Sequence, residues 1–557
     1  MRKNLSKIFS KSNLFLYLIV GLGTLMWSLT MARSGLCWNT NCAGGFGFWG
    51  ANGHDGVWHL ALINSLSKWD FNMPVFAGHA LQNYHIGFDL MVAFLRLETG
   101  ISVINLYFQI LPPFFALLIG FLTYKFVLGW TKSVRSSLWA VFFVYFGAGL
   151  GWLVTLARGS SLAGESMFWS QQAISTLINP PFALSLVFIL LGLICLQKKK
   201  VLLAILFLGV LIEIKVYAAI LVLIGLFLSK NFKVFLGTLF LSLVLFWPFL
   251  KSSSALLVWQ PFWFLETMMG LSDRFGWARF YSAMTTYRMG GVWVKAIAAY
   301  GIAFAVFLLG NQGTRIIFLK DIFKKPDSLK IFALSVIAAG VIIPMFFLQK
   351  GTSWNTIQFF YYSLFFSGIL AGIAVSKFNI YHLAFIIVLT LPGTIGALRN
   401  YLPAKPPAIL SALELSGLSF LREQPDGTVL TYPFDAFKAK EAEANPPRPL
   451  YLYDSTAYVS AFGGKTTFLE DEVNLNITGY DWSTRRVDIE NWYKEKDQEK
   501  ARAFLKENNI KYIYWLKGDK RFLYATEQRA LIGDKQLGLS KLFENKEVVI
   551  YMVKSEI

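Results

Sequence analysis

The feature that most constrains this chain of 557 residues is a series of apolar runs separated by short basic segments. A helix needs about 20 mostly apolar residues to cross the hydrocarbon core of a bilayer, and most of these runs approach that length. With 55% hydrophobic and 15% charged residues, the composition is typical of a protein with many membrane spans rather than of a soluble one. We therefore expect eleven transmembrane helices, at residues 12–32, 104–128, 138–157, 174–196, 201–213, 216–228, 234–250, 292–309, 331–348, 358–375 and 380–398.

Basic residues predict the orientation of these helices. Four of them, Arg2, Lys3, Lys7 and Lys11, precede the first run and favour a cytoplasmic N-terminus. No small-residue cleavage site follows, so we interpret this run as an uncleaved span of an integral, multi-pass plasma-membrane protein. Counting across eleven spans leaves the C-terminal part on the outer side and places these basic positions inside: 132, 135, 198–200, 230, 233, 315–330 and 377.

Charge divides the chain into a membrane domain, residues 1–398, and a second domain, residues 399–557. The second domain holds 23 basic and 23 acidic residues, so the formal net charge of +19 lies entirely on the membrane domain. Cationic cytoplasmic loops account for that excess, and no nucleic-acid partner is needed to explain it.

The second domain has the pattern of a small soluble α/β domain on the outer side of the membrane. Apolar runs at 429–432 and 511–516 predict strands, 488–507 predicts an amphipathic helix, and 541–553 predicts a hairpin. Several of its acidic residues show no catalytic spacing: Asp454, Glu470, Asp471, Glu472 and Asp481.

The first outer loop, residues 33–103, carries most of the groups suited to chemistry. It holds four of the five histidines, among them His54, His59 and His85, together with Asp55 and Asp89. Asp55 and His59 are four residues apart, as are His85 and Asp89, so each pair would share a face of a helix. Any chemistry of this chain is expected to start in this loop.

Structural alternatives exist for the same loop. The apolar spacing over 57–66 predicts an amphipathic helix at the membrane interface, where a histidine such as His59 would simply lie among lipid headgroups. Cys37 and Cys42 can close a small disulfide, which we favour. They could also join His54 and His59 in a zinc site, although the spacing matches no familiar zinc pattern.

Two of the expected spans are only about 13 residues long, so each is shorter than the bilayer core. They meet at Glu213 and Lys215, which places this charged turn below the outer surface in a cavity walled by protein. Ionisable residues inside a membrane are usually functional, but these two could also neutralise each other.

Outward-facing arginines lie in the long outer loop before residue 292. Arg279 and Arg288 run against the positive-inside trend, and a phosphate at the membrane surface would explain them. The alternative is a solvated loop with its own ion pairs.

Taken together, these features resemble the GT-C glycosyltransferases, of the protein mannosyltransferase or aminoarabinose transferase type. The resemblance covers the whole chain in its order of spans, long first outer loop, short hairpin and outer α/β domain. In residues it rests on His54-Asp55-Gly56 with Trp58-His59, on the segment 213–217, and on the closing pattern from 504–505 to 512–513.

The resemblance implies transfer of a sugar from a polyprenyl-phosphate donor to a hydroxyl of a glycan, lipid or protein acceptor. Asp55 matches the position of the loop base of that family. Lys215, Arg279 and Arg288 are candidates for holding phosphate, with Arg288 favoured over Arg279. Further candidates for substrate contacts are His54, His59, His85, Asp89 and Glu213, and a divalent metal ion at Asp55, His54 and His59 is a further expectation.

Two other functions fit the same pattern less well. A transporter would also have many spans, a broken hairpin and a buried lysine, but no internal repeat relates the two halves of the membrane domain. A non-catalytic membrane scaffold would have no use for the cluster of aspartate and histidine.

Overall fold

Long apolar helices dominate the computed structural model, which describes residues 11–39, 42–250, 257–349, 352–495, 497–517 and 538–554. Eight helices in this described part are long and apolar enough to cross a membrane. A ninth is obtained when two helices that meet at a bend of 48° are counted as one span. The protein is thus an integral membrane protein, as its composition predicts.

The helices of the membrane domain follow one another with short connections. Their bounds are α1 Lys11–Ala32, α2 Asp55–Leu66, α3 Gly87–Thr99, α4 Leu111–Thr131, α5 Val134–Phe146, α6 Gly151–Ala157, α7 Pro180–Gln197, α8 Val201–Gly209, α9 Leu211–Ile214, α10 Val216–Leu228, α11 Phe232–Phe246, α12 Trp263–Gly270, α13 Ala278–Met289, α14 Trp293–Gln312, α15 Ser328–Phe346, α16 Gln358–Val375 and α17 Ile380–Tyr401. A π-helical segment, Asn105–Ile110, leads into α4, and a 3-10 segment, Gly313–Asp321, continues α14.

Each predicted apolar run falls on one of these helices or on two consecutive ones. The run at 138–157 is bent between α5 and α6, and the two short runs correspond to α8 with α9 and to α10. Helices of that length do not by themselves reach across a bilayer. Eleven crossings therefore stay a prediction, and so do the cytoplasmic N-terminus and the outer C-terminal domain.

Small residues let the central helices approach closely. A Cβ atom on Gly372 of α16 would lie 2.2 Å from the backbone nitrogen of Ala140 in α5. One on Gly340 of α15 would lie 2.6 Å from the carbonyl oxygen of Phe359 in α16. Glycine at such contacts is common in membrane bundles, where van der Waals packing replaces the hydrophobic effect as the main attraction between helices.

The C-terminal region is a mixed α/β unit. Its main sheet has the order β6-β8-β10-β9, in which β6 and β8 are parallel and the other pairs antiparallel. The predicted strands and hairpin are found, whereas the predicted helix at 488–507 is divided at an extended Glu495. The elements are β5 Ala408–Leu410, α18 Ala412–Glu423, β6 Thr428–Leu430, α19 Ala436–Glu443, β7 Arg448–Pro449, α20 Tyr458–Gly463, α21 Glu472–Thr478, α22 Trp482–Lys494, α23 Gln498–Glu507, β8 Ile510–Leu516, β9 Leu539–Glu544 and β10 Val548–Val553.

A second sheet joins the first outer loop to this C-terminal region. Its order is β1-β2-β5-β7, where β1 is Leu36–Cys37 and β2 is Phe46–Phe48, so strands of the loop pair with strands that follow residue 399. The remaining strands, β3 Leu257–Trp259 and β4 Phe347–Gln349, form a separate antiparallel pair. Side chains add to the junction, since Asn64 donates to the carbonyl of Ala461 at 2.7 Å and Tyr453 donates to that of Gly50 at 2.6 Å. The C-terminal region therefore holds the loop in place.

The structure corrects two expectations and confirms a third. Helix α2 is buried along most of its length between α3 and α20, so it is not an amphipathic helix at the membrane interface. Arg315, predicted to be cytoplasmic, is only 1% exposed and lies inside the helical bundle. The favoured disulfide between Cys37 and Cys42 is present.

Candidate functional site

Asp55 is the first residue of α2 and the most open acid of the first outer loop's histidine cluster. A carboxylate is stabilised at a helix N-terminus, where the helix dipole is positive. Its Oδ1 lies 2.8 Å from Nδ1 of His54, which caps the helix. The side chain of Asp55 is 43% exposed, and its Oδ2 makes no hydrogen bond with any part of the chain that the structure describes. One oxygen is therefore held while the other is free.

The C-terminal region completes this arrangement through Asp471. The Nε2 atom of His54 lies 3.3 Å from Oδ1 of Asp471, whose side chain is fully buried. Asp471 caps α21 in the left-handed conformation, with φ of 49°, and accepts hydrogen bonds from the backbone and side chain of Asn474. Sequence reasoning missed Asp471 because no local spacing relates it to His54.

Electrostatics favour an ion pair between His54 and its two carboxylates. Burial alone would lower the pKa of His54, but the charges and hydrogen bonds of Asp471 and Asp55 outweigh it and raise that pKa well above its usual value. Burial would likewise raise the pKa of Asp55, yet His54, His59 and Lys215 together lower it. Asp55 is thus ionised at neutral pH and able to accept a proton.

His59 and Asp89 form a second pair behind this one. Nδ1 of His59 lies 2.7 Å from Oδ1 of Asp89, both side chains are buried, and the His59 ring stacks on Tyr107. Burial raises the pKa of Asp89 despite the opposing effect of His59. Burial and the charge of Lys215 lower the pKa of His85 to about 3, so that His85 is neutral.

Lys215 lies at a break between α9 and α10, where the chain is extended with φ of −160° and ψ of 107°. Its ammonium is buried, lies 3.3 Å from Oδ1 of Asn179, and interacts electrostatically with Asp55 and Asp89. Glu213 points elsewhere and accepts a 3.4 Å hydrogen bond from the backbone nitrogen of Ile86. Within the described residues these two side chains form no ion pair, so they do not neutralise each other.

A cavity of about 100 Å³ extends from Asp55 into the helical bundle. Its wall combines amide and hydroxyl groups with aromatic and aliphatic side chains, and Arg315 also lines it. The polar lining residues are Asp55, Gln171, Gln172, Ser175, Thr176, Asn179, Arg315, Gln358 and Tyr361.

The structure does not bring the two outer arginines to this cavity. Arg288 on α13 forms a 2.5 Å ion pair with Glu266, which also accepts a hydrogen bond from Tyr300. Arg279 is exposed on the same helix. Neither residue lines the cavity at Asp55.

The geometry does not fit a metal ion at the predicted residues. Both ring nitrogens of His54 face carboxylates, so this ring offers Asp55 no partner ligand, and Nδ1 of His59 is bound to Asp89. Among the described ranges, no group of three or more histidine, cysteine, aspartate or glutamate side chains is placed to hold a metal ion.

No family model matches the chain, and no curated protein matches it. Comparison with solved structures finds an oligosaccharyltransferase of Archaeoglobus fulgidus with a tethered acceptor peptide, at a TM-score of 0.47 and 11% identity, covering 99% of this chain and 75% of that one. A structure of the Archaeoglobus fulgidus oligosaccharyltransferase AglB with an inhibitory peptide and a dolichol-phosphate matches at a TM-score of 0.38 and 12% identity. The match covers 97% of this chain and 74% of that one. The arabinofuranosyltransferase AftD from Mycobacteria matches at a TM-score of 0.48 and 11% identity, and the match covers 97% of this chain and 40% of that one.

At these identities and TM-scores the likenesses carry no argument about activity, which has to be argued from the site.

Proposed function

We propose that this protein is a glycosyltransferase that moves a sugar from a polyprenyl-phosphate donor to a hydroxyl group of an acceptor at the outer face of the plasma membrane. The observation that carries the proposal is the state of Asp55. It is an ionised carboxylate with one oxygen fixed by His54, one oxygen free, and a cavity of the membrane domain at its side.

One carboxylate suffices for such a reaction. The bond between the sugar and the phosphate oxygen breaks as the acceptor oxygen bonds to the same carbon, and the phosphate leaves already ionised. A glycoside hydrolase, in contrast, needs a second carboxyl group to protonate its leaving alcohol. The proton of the acceptor hydroxyl must still be removed, and Asp55 is the group placed to take it.

The other acidic candidates are less suitable as the base. Asp89 is fully buried and bound to His59, and Glu266 is engaged by Arg288. Glu165 accepts a 3.2 Å hydrogen bond from the backbone nitrogen of Gln172. Asp55 is the acid with a free oxygen open to an acceptor.

Replacing Asp55 with asparagine tests this role. Asp55→Asn keeps the size of the side chain but removes the basic oxygen, so donor binding should persist while turnover falls by about 10² to 10⁴, the usual contribution of a positioned general base. Sugar transfer from a radiolabelled polyprenyl-phosphate sugar by the purified full-length protein is the measurement. Matched variants are Asp89→Asn, Glu165→Gln and Glu266→Gln. Normal turnover in Asp55→Asn with loss of turnover in one of the matched variants would move the base to that residue. Absence of sugar transfer by the wild-type protein would reject an enzymatic function in favour of a carrier or a scaffold.

Lys215 is the residue that we assign to the donor phosphate. It is a buried cation that interacts electrostatically with Asp55 and donates to Asn179 of the cavity wall, whereas Arg288 is paired with Glu266 and Arg279 is exposed. A charge-assisted contact contributes about 1.5 to 3 kcal/mol, so Lys215→Met should weaken donor binding by about one to two decades. Lys230→Met, at the far end of the same hairpin, is the control and should bind donor normally. Unchanged affinity in Lys215→Met would return the phosphate to Arg279 or Arg288.

A further inference from the structure

Arg315 is a buried cation at the wall of the cavity that holds Asp55. The side chain is 1% exposed. Its Nε donates to the carbonyl oxygen of Gln312 at 3.2 Å, and its Nη2 donates to that of Asn311 at 2.7 Å and to the side-chain oxygen of Gln172. All three acceptors are neutral, and no carboxylate in the described part of the chain pairs with this guanidinium.

One nitrogen of the guanidinium is left for a ligand. Nη1 makes no hydrogen bond with any described residue, while Nε and Nη2 are held by the groups just named. Burying a charge without a counter-ion is costly, and the cost is offset when an opposite charge reaches the same site. An arginine fork also matches the oxygens of a carboxylate or phosphate. The site therefore favours an oxyanion.

The other residues that line the cavity indicate which kind of ligand would carry that oxyanion. The amide of Gln172 accepts from Arg315, and the ring of Tyr361 and the hydroxyls of Ser175 and Thr176 line the same cavity. Such a mixture of hydrogen-bonding groups and aromatic surface suits a ligand with several hydroxyl groups. The phosphate of the donor already has a cation, Lys215, whose partner Asn179 also borders the cavity.

We propose that the cavity receives the transferred sugar and that Arg315 binds an acidic group on it. This inference rests on the proposed function and names its substrate class as a sugar that carries a carboxylate or phosphate of its own. Arg315 is then a specificity-determining residue, distinct from the base and from the residue that holds the phosphate of the lipid.

Equilibrium binding to the purified full-length protein tests the proposal with three probes. These are D-glucuronate, D-glucose as its uncharged counterpart, and a polyprenyl monophosphate without sugar. We expect D-glucuronate to bind and D-glucose to bind at least 10-fold more weakly. Arg315→Gln should weaken glucuronate binding by about 10- to 100-fold, the size of a lost charge-assisted hydrogen bond. Binding of the polyprenyl monophosphate should not change.

The two sources of an oxyanion give different results. If Arg315→Gln weakens binding of the polyprenyl monophosphate and leaves D-glucuronate unaffected, the oxyanion is the phosphate of the lipid and the acidic-sugar assignment is wrong. If neither probe responds, Arg315 binds no anion and the inference is overturned. Arg135→Gln, an exposed arginine that donates to the carbonyl of Phe378, is the matched control.

Folding and function are separated by two further comparisons. If Arg315→Gln does not elute as a folded protein, Arg315→Lys replaces it in the test. Lysine retains the positive charge but lacks the paired N–H groups of the guanidinium, so Arg315→Lys should still weaken glucuronate binding. Absence of sugar transfer by the wild-type protein would defeat the proposed function whatever Arg315 does. An inactive Asp55→Asn together with unchanged probe binding in both Arg315 variants would defeat this inference alone.

Discussion

At the scale of single residues, the site depends on a row of three groups in which His54 lies between Asp55 and Asp471. A protonated His54 donates a hydrogen bond to Asp55 and forms an ion pair with Asp471, which fixes the orientation of Asp55 and leaves its second oxygen free. A neutral ring could donate to only one of them. The charge of His54 therefore couples the base in the loop to the C-terminal region.

The stability that His54 adds should depend on pH. Its pKa is raised in the folded protein, so the stabilisation is fully present below the unfolded value of about 6.5 and is lost as pH rises through the raised folded value. We expect His54→Gln to unfold at a lower temperature than the wild type, with the largest difference at about pH 6 and a smaller one in alkaline solution. Thermal unfolding between about pH 6 and pH 10 is the measurement.

An exposed histidine provides the control for that titration. His382 contacts Asn379 rather than a carboxylate, so His382→Gln should shift the unfolding temperature little and equally at every pH. A difference for His54→Gln that stayed constant across the range would mean that His54 is not charged in the folded protein.

At the scale of secondary-structure elements, the position of Lys215 depends on how tightly α3 packs on α9, the short helix that ends directly before Lys215. Gly87, the first residue of α3, allows this contact, since a Cβ atom there would lie 2.9 Å from the carbonyl oxygen of Glu213 and 3.0 Å from its Cβ. The same approach brings the backbone of Ile86 to the carboxylate of Glu213. A short hairpin inside the membrane is thus tied to the first outer loop.

Gly87→Ala should separate these two elements. Overpacking of this kind typically costs about 1 to 3 kcal/mol, and the displaced turn would carry Lys215 with it. We expect a lower unfolding temperature together with weaker donor binding, both measured on the purified protein. Gly21→Ala in α1 is the matched control, because nothing lies within 4 Å of the added Cβ. Equal unfolding temperatures for Gly87→Ala and the wild type would show that the contact relaxes without cost.

At the scale of the whole molecule, the helical bundle and the C-terminal region both contribute residues to the site around Asp55. The bundle supplies Lys215, Asn179 and the cavity, while the C-terminal region supplies Asp471 and the strand that pairs with β2. This arrangement requires the C-terminal region and the first outer loop to lie on the same side of the membrane.

A topology assay checks that requirement. With the N-terminus inside and an odd number of spans, a reporter that is active only in the cytoplasm should be silent when fused after Lys554. The same reporter inserted between Lys198 and Lys200 should be active. Activity after Lys554 would mean that one span has been miscounted, and the outer position of Asp55 would have to be reassigned.

The sequence by itself determined the membrane helices and the main strands of the C-terminal region. Each of these depends on residues close together in the chain, because the length of an apolar run or the alternation of a strand reports the free energy of one segment in lipid or water. The sequence also predicted the break at Lys215, because each of the two apolar runs that meet there is too short to cross a bilayer. It did not determine the pairs in the first loop, because the spacing suggested Asp55 with His59 and His85 with Asp89, whereas the structure joins Asp55 to His54 and Asp89 to His59.

Only the tertiary structure decided the rest of the site. Asp471 reaches His54 because strands of the first loop pair with strands of the C-terminal region, a contact that no local pattern encodes. Arg315 looks like one more cytoplasmic charge in the sequence, yet the fold covers it with neighbouring helices and leaves it facing a cavity. Helix α2 is buried because other elements enclose both of its faces. Whether a charged residue or an amphipathic face is buried or exposed depends on what packs against it, and that packing exists only in the folded chain.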